Sequence, residues 1–276
     1  MGRMPKWIMM GAGFMFMAVI GEPPIAVPAV SKNPTTRMPT LTILYDNNPH
    51  RHGLEAAWGF SCLIQGMKKT VLFDTGGEGK LLLENMKKLD FHPREIDAVV
   101  VSHIHGDHAG GLMPLLGQNR HIVGYLPASF PETFKREVGR QGAGMIQVRG
   151  PLEICAGIFS TGELGAHPRE QALVIRTARG LVIATGCAHP GIERVVRSAK
   201  EKFGGEILLV LGGFHLNDSS RAEIEAVIAG LAELGVRHVA PSHCTGEDAR
   251  WLFKKAYARR FVDVGVGAVI TTENLR

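Results

Sequence analysis

The chain has 276 residues, 45% of them hydrophobic and 21% charged, with 31 basic against 26 acidic side chains for a net charge of +5. That composition is too apolar for a disordered chain, and a core of this size needs no disulfide staples. The four cysteines, Cys62, Cys155, Cys187 and Cys244, spell neither a disulfide framework nor a zinc-finger spacing, and the basic residues are too dispersed to form a nucleic-acid-binding face.

In chain order, Arg3 and Lys6 precede an uncharged run from Trp7 to Gly21, which Glu22, Pro23 and Pro24 stop. This run is shorter than the roughly 20 residues that cross a bilayer as a helix, so no membrane span is expected. A basic start, a short apolar stretch and small residues near Ala29 read as a secretory signal or anchor over residues 1–30, placing the protein outside the cytoplasm. The alternative is a cytoplasmic protein that starts at Met38. In either case one folded domain is expected over residues 38–276.

Within that domain, Leu41–Tyr45, Gly59–Gln65 and Thr70–Phe73 read as strands, the third closed by Asp74-Thr75-Gly76-Gly77. A helix carrying Leu81, Leu82, Met86 and Leu89 follows. Ile96–Val101 is the continuous apolar run of a fully buried strand and ends in Ser102-His103. Residues 121–126 predict another strand, and Gln171–Ile175 with Leu181–Ala184 predict a hairpin. Thereafter strand and helix alternate. Helical spacing of Ile192, Val195, Val196, Ala199 and Phe203 precedes the strand Ile207–Leu211, and that of Ile224, Val227, Ile228, Leu231 and Leu234 precedes Val236–Ala240. A helix over 247–258, whose end carries the densest basic cluster, and a strand over Phe261–Ile270 complete the chain. The pattern is α/β with mixed sheets and outer helices.

The chemistry concentrates in His103-Ile104-His105-Gly106-Asp107-His108, three imidazoles and a carboxylate directly after a buried strand. Imidazole nitrogen and carboxylate oxygen are ligands that Zn²⁺ accepts, and four polar side chains buried merely for packing would each need a partner. In a tight turn His103 and His105 point to one side and Asp107 and His108 to the other, which suits two adjacent metals.

This motif, with Val71-Leu72-Phe73-Asp74-Thr75-Gly76 upstream, resembles the metallo-β-lactamase superfamily. Gly186-Cys187-Ala188-His189-Pro190-Gly191, Gly212-Gly213-Phe214-His215-Leu216 and Pro241-Ser242-His243-Cys244-Thr245-Gly246 resemble its dihydropterin-methyl-ribofuranosylaminobenzene-phosphate synthase-like subfamily. The resemblance implies an αββα sandwich of two mixed sheets flanked by helices. It also implies two divalent metal ions, zinc with iron or manganese as alternatives. On this basis His103, His105 and His189 hold the first ion, with His167 as rival to His189, and Asp107, His108 and His243 hold the second. Many members place a bridging aspartate after the glycine that ends the strand; here Cys187 follows Gly186. Either Cys187 is a ligand or a water or hydroxide alone bridges the ions; we expect the second, with Cys187 standing behind the ligands or merely buried. Asp74 is expected to brace a ligand histidine or hold the motif loop, or else to serve as a plain turn residue. His215 is expected to orient substrate or donate a proton, or else to cap its strand, and Glu163 is a weaker candidate of the same kind. Cys62 and Cys155 read as core residues.

The implied activity is that of a dinuclear zinc hydrolase, in which a metal-bound water attacks a carbonyl or phosphoryl centre and Asp107 orients it. The alternatives are a metal-assisted condensation of a pterin with an aromatic amine riboside phosphate, an iron-dependent oxidoreductase, and a non-catalytic metal-stabilised sensor. β-Lactam hydrolysis does not follow, since one fold hosts many reactions. Loops near 46–58 and 127–150, with His50, Arg51, His52, Trp58, Arg136 and Arg140, suggest a polar or anionic small-molecule substrate. Oligomeric state is not readable from the sequence.

Overall fold

The computed structural model describes Gly2 and residues 38–275; the rest of the expected leader lies outside the described residues. The first half of the domain supplies β1 (Thr40–Asp46), β2 (Phe60–Gln65), β3 (Val71–Phe73), β4 (Ala98–Val100), β5 (Val123–Pro127) and β6 (Gly144–Val148). The second supplies β7 (Leu152–Cys155), β8 (Ile158–Ser160), β9 (Leu173–Thr177), β10 (Gly180–Thr185), β11 (Ile207–Gly213) and β12 (His238–Ser242), before β13 (Val269–Thr271) returns to the first sheet. The sheets run β13-β1-β2-β3-β4-β5-β6 and β12-β11-β10-β9-β8-β7. Both are mixed: β3 to β6 and β10 to β12 are parallel, the remaining pairs antiparallel.

The two sheets bury their inner faces against each other, with Leu41, Ile43, Phe60 and Val100 meeting Leu173, Ile175, Val182 and Leu209. Helices α1 (Gly79–Lys88), α2 (Gly106–Ala109), α3 (Leu112–Gln118) and α4 (Glu132–Arg140) belong to the first half, and Leu82, Met86, Leu112 and Val138 cover Leu44, Leu72 and Val99. Helices α5 (Ile192–Phe203), α6 (Arg221–Glu233) and α7 (Glu247–Tyr257) cover the second sheet through Val196, Ile224 and Phe253 against Val174, Ile183 and Val210. The result is the expected αββα sandwich. The apolar run of β4 is explained by this layering: Ala98 and Val100 face the other sheet, and Val99 and Val101 face the helices. Among the described residues no helix is long and apolar enough to cross a membrane.

Three expectations are corrected. Phe261–Ile270 is not one strand: Val262 N donates to Val239 O, Val266 N to Asn48 O and Gly267 N to Ile43 O, so the segment crosses from β12 over to β1. Gly265 and Gly267 permit this close crossing, and only β13 pairs regularly. Residues 127–150 are not an open substrate loop but contain α4 and β6, and Arg140 on α4 pairs with Glu137 at 2.9 Å. The strand expected at residues 121–126 starts later, at Val123.

The parallel strands β3, β4, β10, β11 and β12 all deliver their C-terminal ends to one mouth, where such sheets commonly place their sites. Gly186 lets them close on each other. A Cβ there would lie 2.1 Å from Ser102 Oγ and 2.9 Å from Asp74 Oδ2, two atoms already fixed by a mutual hydrogen bond. Gly186→Ala is therefore expected to destabilise the fold by about 1–3 kcal/mol through overpacking, and a thermal melt of the variant beside the parent tests it. An unchanged melting temperature would mean that the strand ends can move apart freely.

Candidate metal centre

Each chemistry-bearing side chain stands just past a strand. Asp74 follows β3, Ser102 and His103 follow β4, and α2 begins at Gly106 so that Asp107 and His108 lie in its single turn. Cys187 and His189 follow β10, His215 follows β11, and His243 follows β12. Six non-glycine residues among those described have positive φ, and four of them, Asp74 (58°), Ala188 (57°), His215 (52°) and His243 (47°), lie in these turns. Left-handed backbone is costly for such residues, of order 1–3 kcal/mol each, so the surrounding fold must impose it.

The side chains form two adjoining donor sets. In one, ligand atoms of His103, His105 and His189 lie within 4.8 Å of one another; in the other, those of Asp107, His108, Cys187 and His243 do. His103 Nε2 is 3.1 Å from His105 Nδ1, and His108 Nε2 is 3.2 Å from His243 Nε2 and 3.1 Å from Cys187 Sγ. Asp107 Oδ2 is 3.2 Å from His243 Nε2. The sets abut, with the His103 and His108 rings 4.2 Å apart centre to centre.

Partners on the far side of four of the five rings fix where their lone pairs point. Ser102 Oγ donates to Asp74 Oδ2 at 2.8 Å, which leaves it to accept from His103 Nδ1 at 2.9 Å. Asp74 Oδ2 lies 2.8 Å from His108 Nδ1, Glu170 Oε2 lies 2.9 Å from His189 Nδ1, and Asn47 Oδ1 lies 2.9 Å from His243 Nδ1. With Nδ1 the donor in all four rings, four Nε2 lone pairs turn toward the mouth. His108 and His243 then set lone pair against lone pair, an arrangement that a divalent cation between them satisfies.

At His103 and His108 the electrostatics agree, whereas at His243 burial is outweighed by the Asp107 carboxylate, which pushes the pKa up. Burial, with neighbouring imidazoles adding to it, lowers the pKa of His103 to about 2 and of His108 to about 3, so both rings stay neutral and able to ligate. Burial opposes ionisation of Asp107 and Glu170, yet the His243 ring 3.2 Å from Asp107 Oδ2 and the hydrogen bond from His189 to Glu170 outweigh it and hold both carboxyls well below the usual range. Asp74 is the exception: burial pushes it up despite two Ser102 hydrogen bonds, and in either protonation state it occupies the Nδ1 side of His108. The hydrogen bond between Cys187 and Cys244 pulls the Cys244 thiol down and pushes Cys187 up.

His103, His105, Asp107, His108, His189 and His243 are thus brought together, and Asp74 stands behind His108. His189 is in the first set, whereas His167 is exposed and in neither. Cys187 stands among the donors of the second set, not behind them, because the chain after Gly186 turns its sulfur inward. His215 lies at the rim, its ring 4.6 Å from that of His189, and forms a third group with Cys187 and Cys244. Glu163 lies apart from both sets, accepting from Ser129 N at 2.7 Å, and Cys62 and Cys155 are in the inter-sheet core.

Glu170 was not singled out by sequence. Its buried carboxylate accepts from Cys187 N and Ala188 N at 2.9 Å on Oε1, and from His189 N at 3.0 Å and His189 Nδ1 at 2.9 Å on Oε2. It shapes the whole turn that presents Cys187 and His189, although it sits seventeen residues before Cys187. A carboxylate three residues before the buried strand β9 was the available signal. Asn47, behind His243, had none.

An amide in place of this carboxylate would turn an N–H₂ toward backbone donors on one arm. Glu170→Gln is therefore expected to weaken metal binding about 10–100-fold, read by competition with a chromophoric chelator. Parental affinity in that variant would show that the turn is held by other contacts.

Comparison with known proteins agrees with this geometry. Residues 59–201 match the family model of the metallo-beta-lactamase superfamily. The chain is 30% identical over 261 residues, 77% of its length and 89% of the relative's, to the 7,8-dihydropterin-6-methyl-4-(β-D-ribofuranosyl)-aminobenzene-5'-phosphate synthase of Methanocaldococcus jannaschii. The crystal structure of Tm1679, described as a metal-dependent hydrolase of the beta-lactamase superfamily, superposes with a TM-score of 0.73 at 31% identity, covering 84% of this chain and 98% of that one. YhfI from Bacillus subtilis, a metallo-beta-lactamase fold protein, shares the fold at 17% identity and a TM-score of 0.66, covering 85% of this chain and 99% of its own. From the candidate metal donors at its strand ends to its overall architecture, the chain belongs to the metallo-beta-lactamase superfamily.

Proposed function

We propose that the protein is a dinuclear zinc hydrolase of an anionic small molecule. The observation that carries this reading is the pair of abutting donor sets, with lone pairs aimed into one mouth. His103, His105 and His189 would hold one ion and Asp107, His108, Cys187 and His243 the other. The thiol in the second set favours zinc over manganese, which prefers oxygen donors. Bound there, the ions supply Lewis acidity at a carbonyl or phosphoryl centre and a water whose pKa falls to about 7.

The chain's own groups have distinct tasks. Asp107 keeps an ionised carboxylate at the cleft, its side chain 21% exposed, and orients the attacking water by accepting its hydrogen bond. His215 is exposed at the rim, and its hydrogen bond with Cys244 raises its pKa against the opposing effect of burial. It is placed to carry a proton to the leaving group. Asp74, Glu170, Ser102 and Asn47 hold the rings in place and do not touch substrate.

A second reading is favoured by the 30% identity to the archaeal synthase across 89% of that enzyme. In it an aromatic amine replaces water as nucleophile: its nitrogen bonds to a pterin methyl carbon as the bond from that carbon to an anionic leaving group breaks, and the amine proton passes to solvent. Export, with removal of residues 1–30, would weigh for the hydrolase, because pterin assembly is intracellular.

Zinc-loaded protein is expected to hydrolyse at least one member of a panel of phosphodiester, lactone, thioester and β-lactam substrates, and Asp107→Ala to lower that rate by about a hundredfold or more. No hydrolysis by fully loaded protein, with a coupled product from a pterin donor and an aryl amine, would replace the first reading with the second. His215→Ala is expected to cost about a hundredfold with an alkoxide leaving group and far less with 4-nitrophenolate, which needs no proton. An equal loss with both would remove His215 from the proton-donor role.

A further inference from the structure

The loop between β1 and β2 carries a side chain that the metal centre does not use. Trp58 is 55% exposed, and its ring lies 4.8 Å from that of His243 at a tilt of 55°. Leaving so much apolar surface in water forgoes the stabilisation of burying it. Trp251 is similarly exposed at 51%, but the Lys255 ammonium lies 4.1 Å over its ring; among the described residues no cation covers Trp58.

The position of Trp58 is fixed by the backbone around the metal motif. The neighbouring Gly59 has φ +142°, and a Cβ there would lie 2.5 Å from Asp107 O and 3.0 Å from Gly77 N. Earlier in the same loop, Ala57 N donates to Asp46 O at 3.1 Å, and Asn47 holds His243 Nδ1. One loop therefore sets both a candidate ligand histidine and an indole that stands open at the rim of the same mouth. A flat π-face in that position recognises another flat ring, and it offers a saturated group of equal size much less.

We infer that Trp58 is a stacking platform for a planar aromatic or heteroaromatic ring in the substrate, carried next to the anionic group that reacts at the metals. This rests on the reading of the mouth as a metal-dependent enzyme site and narrows its substrate class.

The test uses the full chain loaded with zinc, and calorimetric titration with benzoate and with cyclohexanecarboxylate, which share the anion and differ in the ring. Zinc content is measured in each protein. The parent is expected to bind benzoate about tenfold more tightly, Trp58→Phe to keep most of that preference, and Trp58→Leu to lose it while its affinity for cyclohexanecarboxylate stays within about twofold. Equal affinity of the parent for both anions, or a preference that survives in Trp58→Leu, would overturn the platform and leave the metal centre standing. A protein that takes up no zinc and binds neither anion would overturn both readings.

Discussion

The mouth of this sandwich depends on one constraint: four of its imidazoles, those of His103, His108, His189 and His243, must be held from behind so that their free lone pairs face forward. Ser102, Asp74, Glu170 and Asn47 each take the Nδ1 side of a ring. The carboxyl groups of Asp74 and Glu170 are wholly within the protein, where a charge without partners would be prohibitively costly. Glu170 meets that cost with backbone amides as well as with His189, and so doubles as the template of the turn that carries Cys187. The same groups that make burial tolerable also orient the ligands. Left-handed backbone at Asp74, Ala188, His215 and His243 is the conformational consequence, localised where five parallel strand ends converge.

Much of this was legible in the sequence. The buried strand Ile96–Val101 and the motif His103 to His108 stood out together, since a continuous apolar run ending in clustered imidazoles and a carboxylate suits a metal-bearing strand end and is costly as mere packing. The strand–helix alternation after residue 190 was equally plain, because α5 keeps a clean apolar face at Ile192, Val195, Val196 and Ala199. What escaped was the non-local part. Glu170 acts through backbone amides seventeen residues on, and its role is invisible without the β9–β10 pairing that brings it there. Cys187 was expected behind the ligands because its spacing says nothing about where its sulfur turns. Strands β6 to β8 are short, with β6 largely exposed, and α4 buries only Lys135 and Val138.

Membership of the superfamily fixes the architecture and suggests the use of divalent metals but does not fix the reaction, since sites are grafted onto folds. What distinguishes this chain lies at the mouth: a sulfur among the donors of the second set, a second thiol and an exposed histidine beside it, and an indole at the rim beside His243. In the proposed reading the softer second set favours zinc, His215 as proton carrier would favour substrates with demanding leaving groups, and the indole would favour a planar ring. These preferences are mutually compatible, and each has a different physical origin.

The most direct test is zinc-edge X-ray absorption combined with elemental analysis on protein purified without chelator. Two zinc ions per chain are expected, with mostly nitrogen and oxygen neighbours at about 2.0–2.2 Å and a sulfur at about 2.3 Å that disappears in Cys187→Ser. A chain that binds one ion or none after zinc loading would contradict the two adjoining donor sets on which everything else here stands.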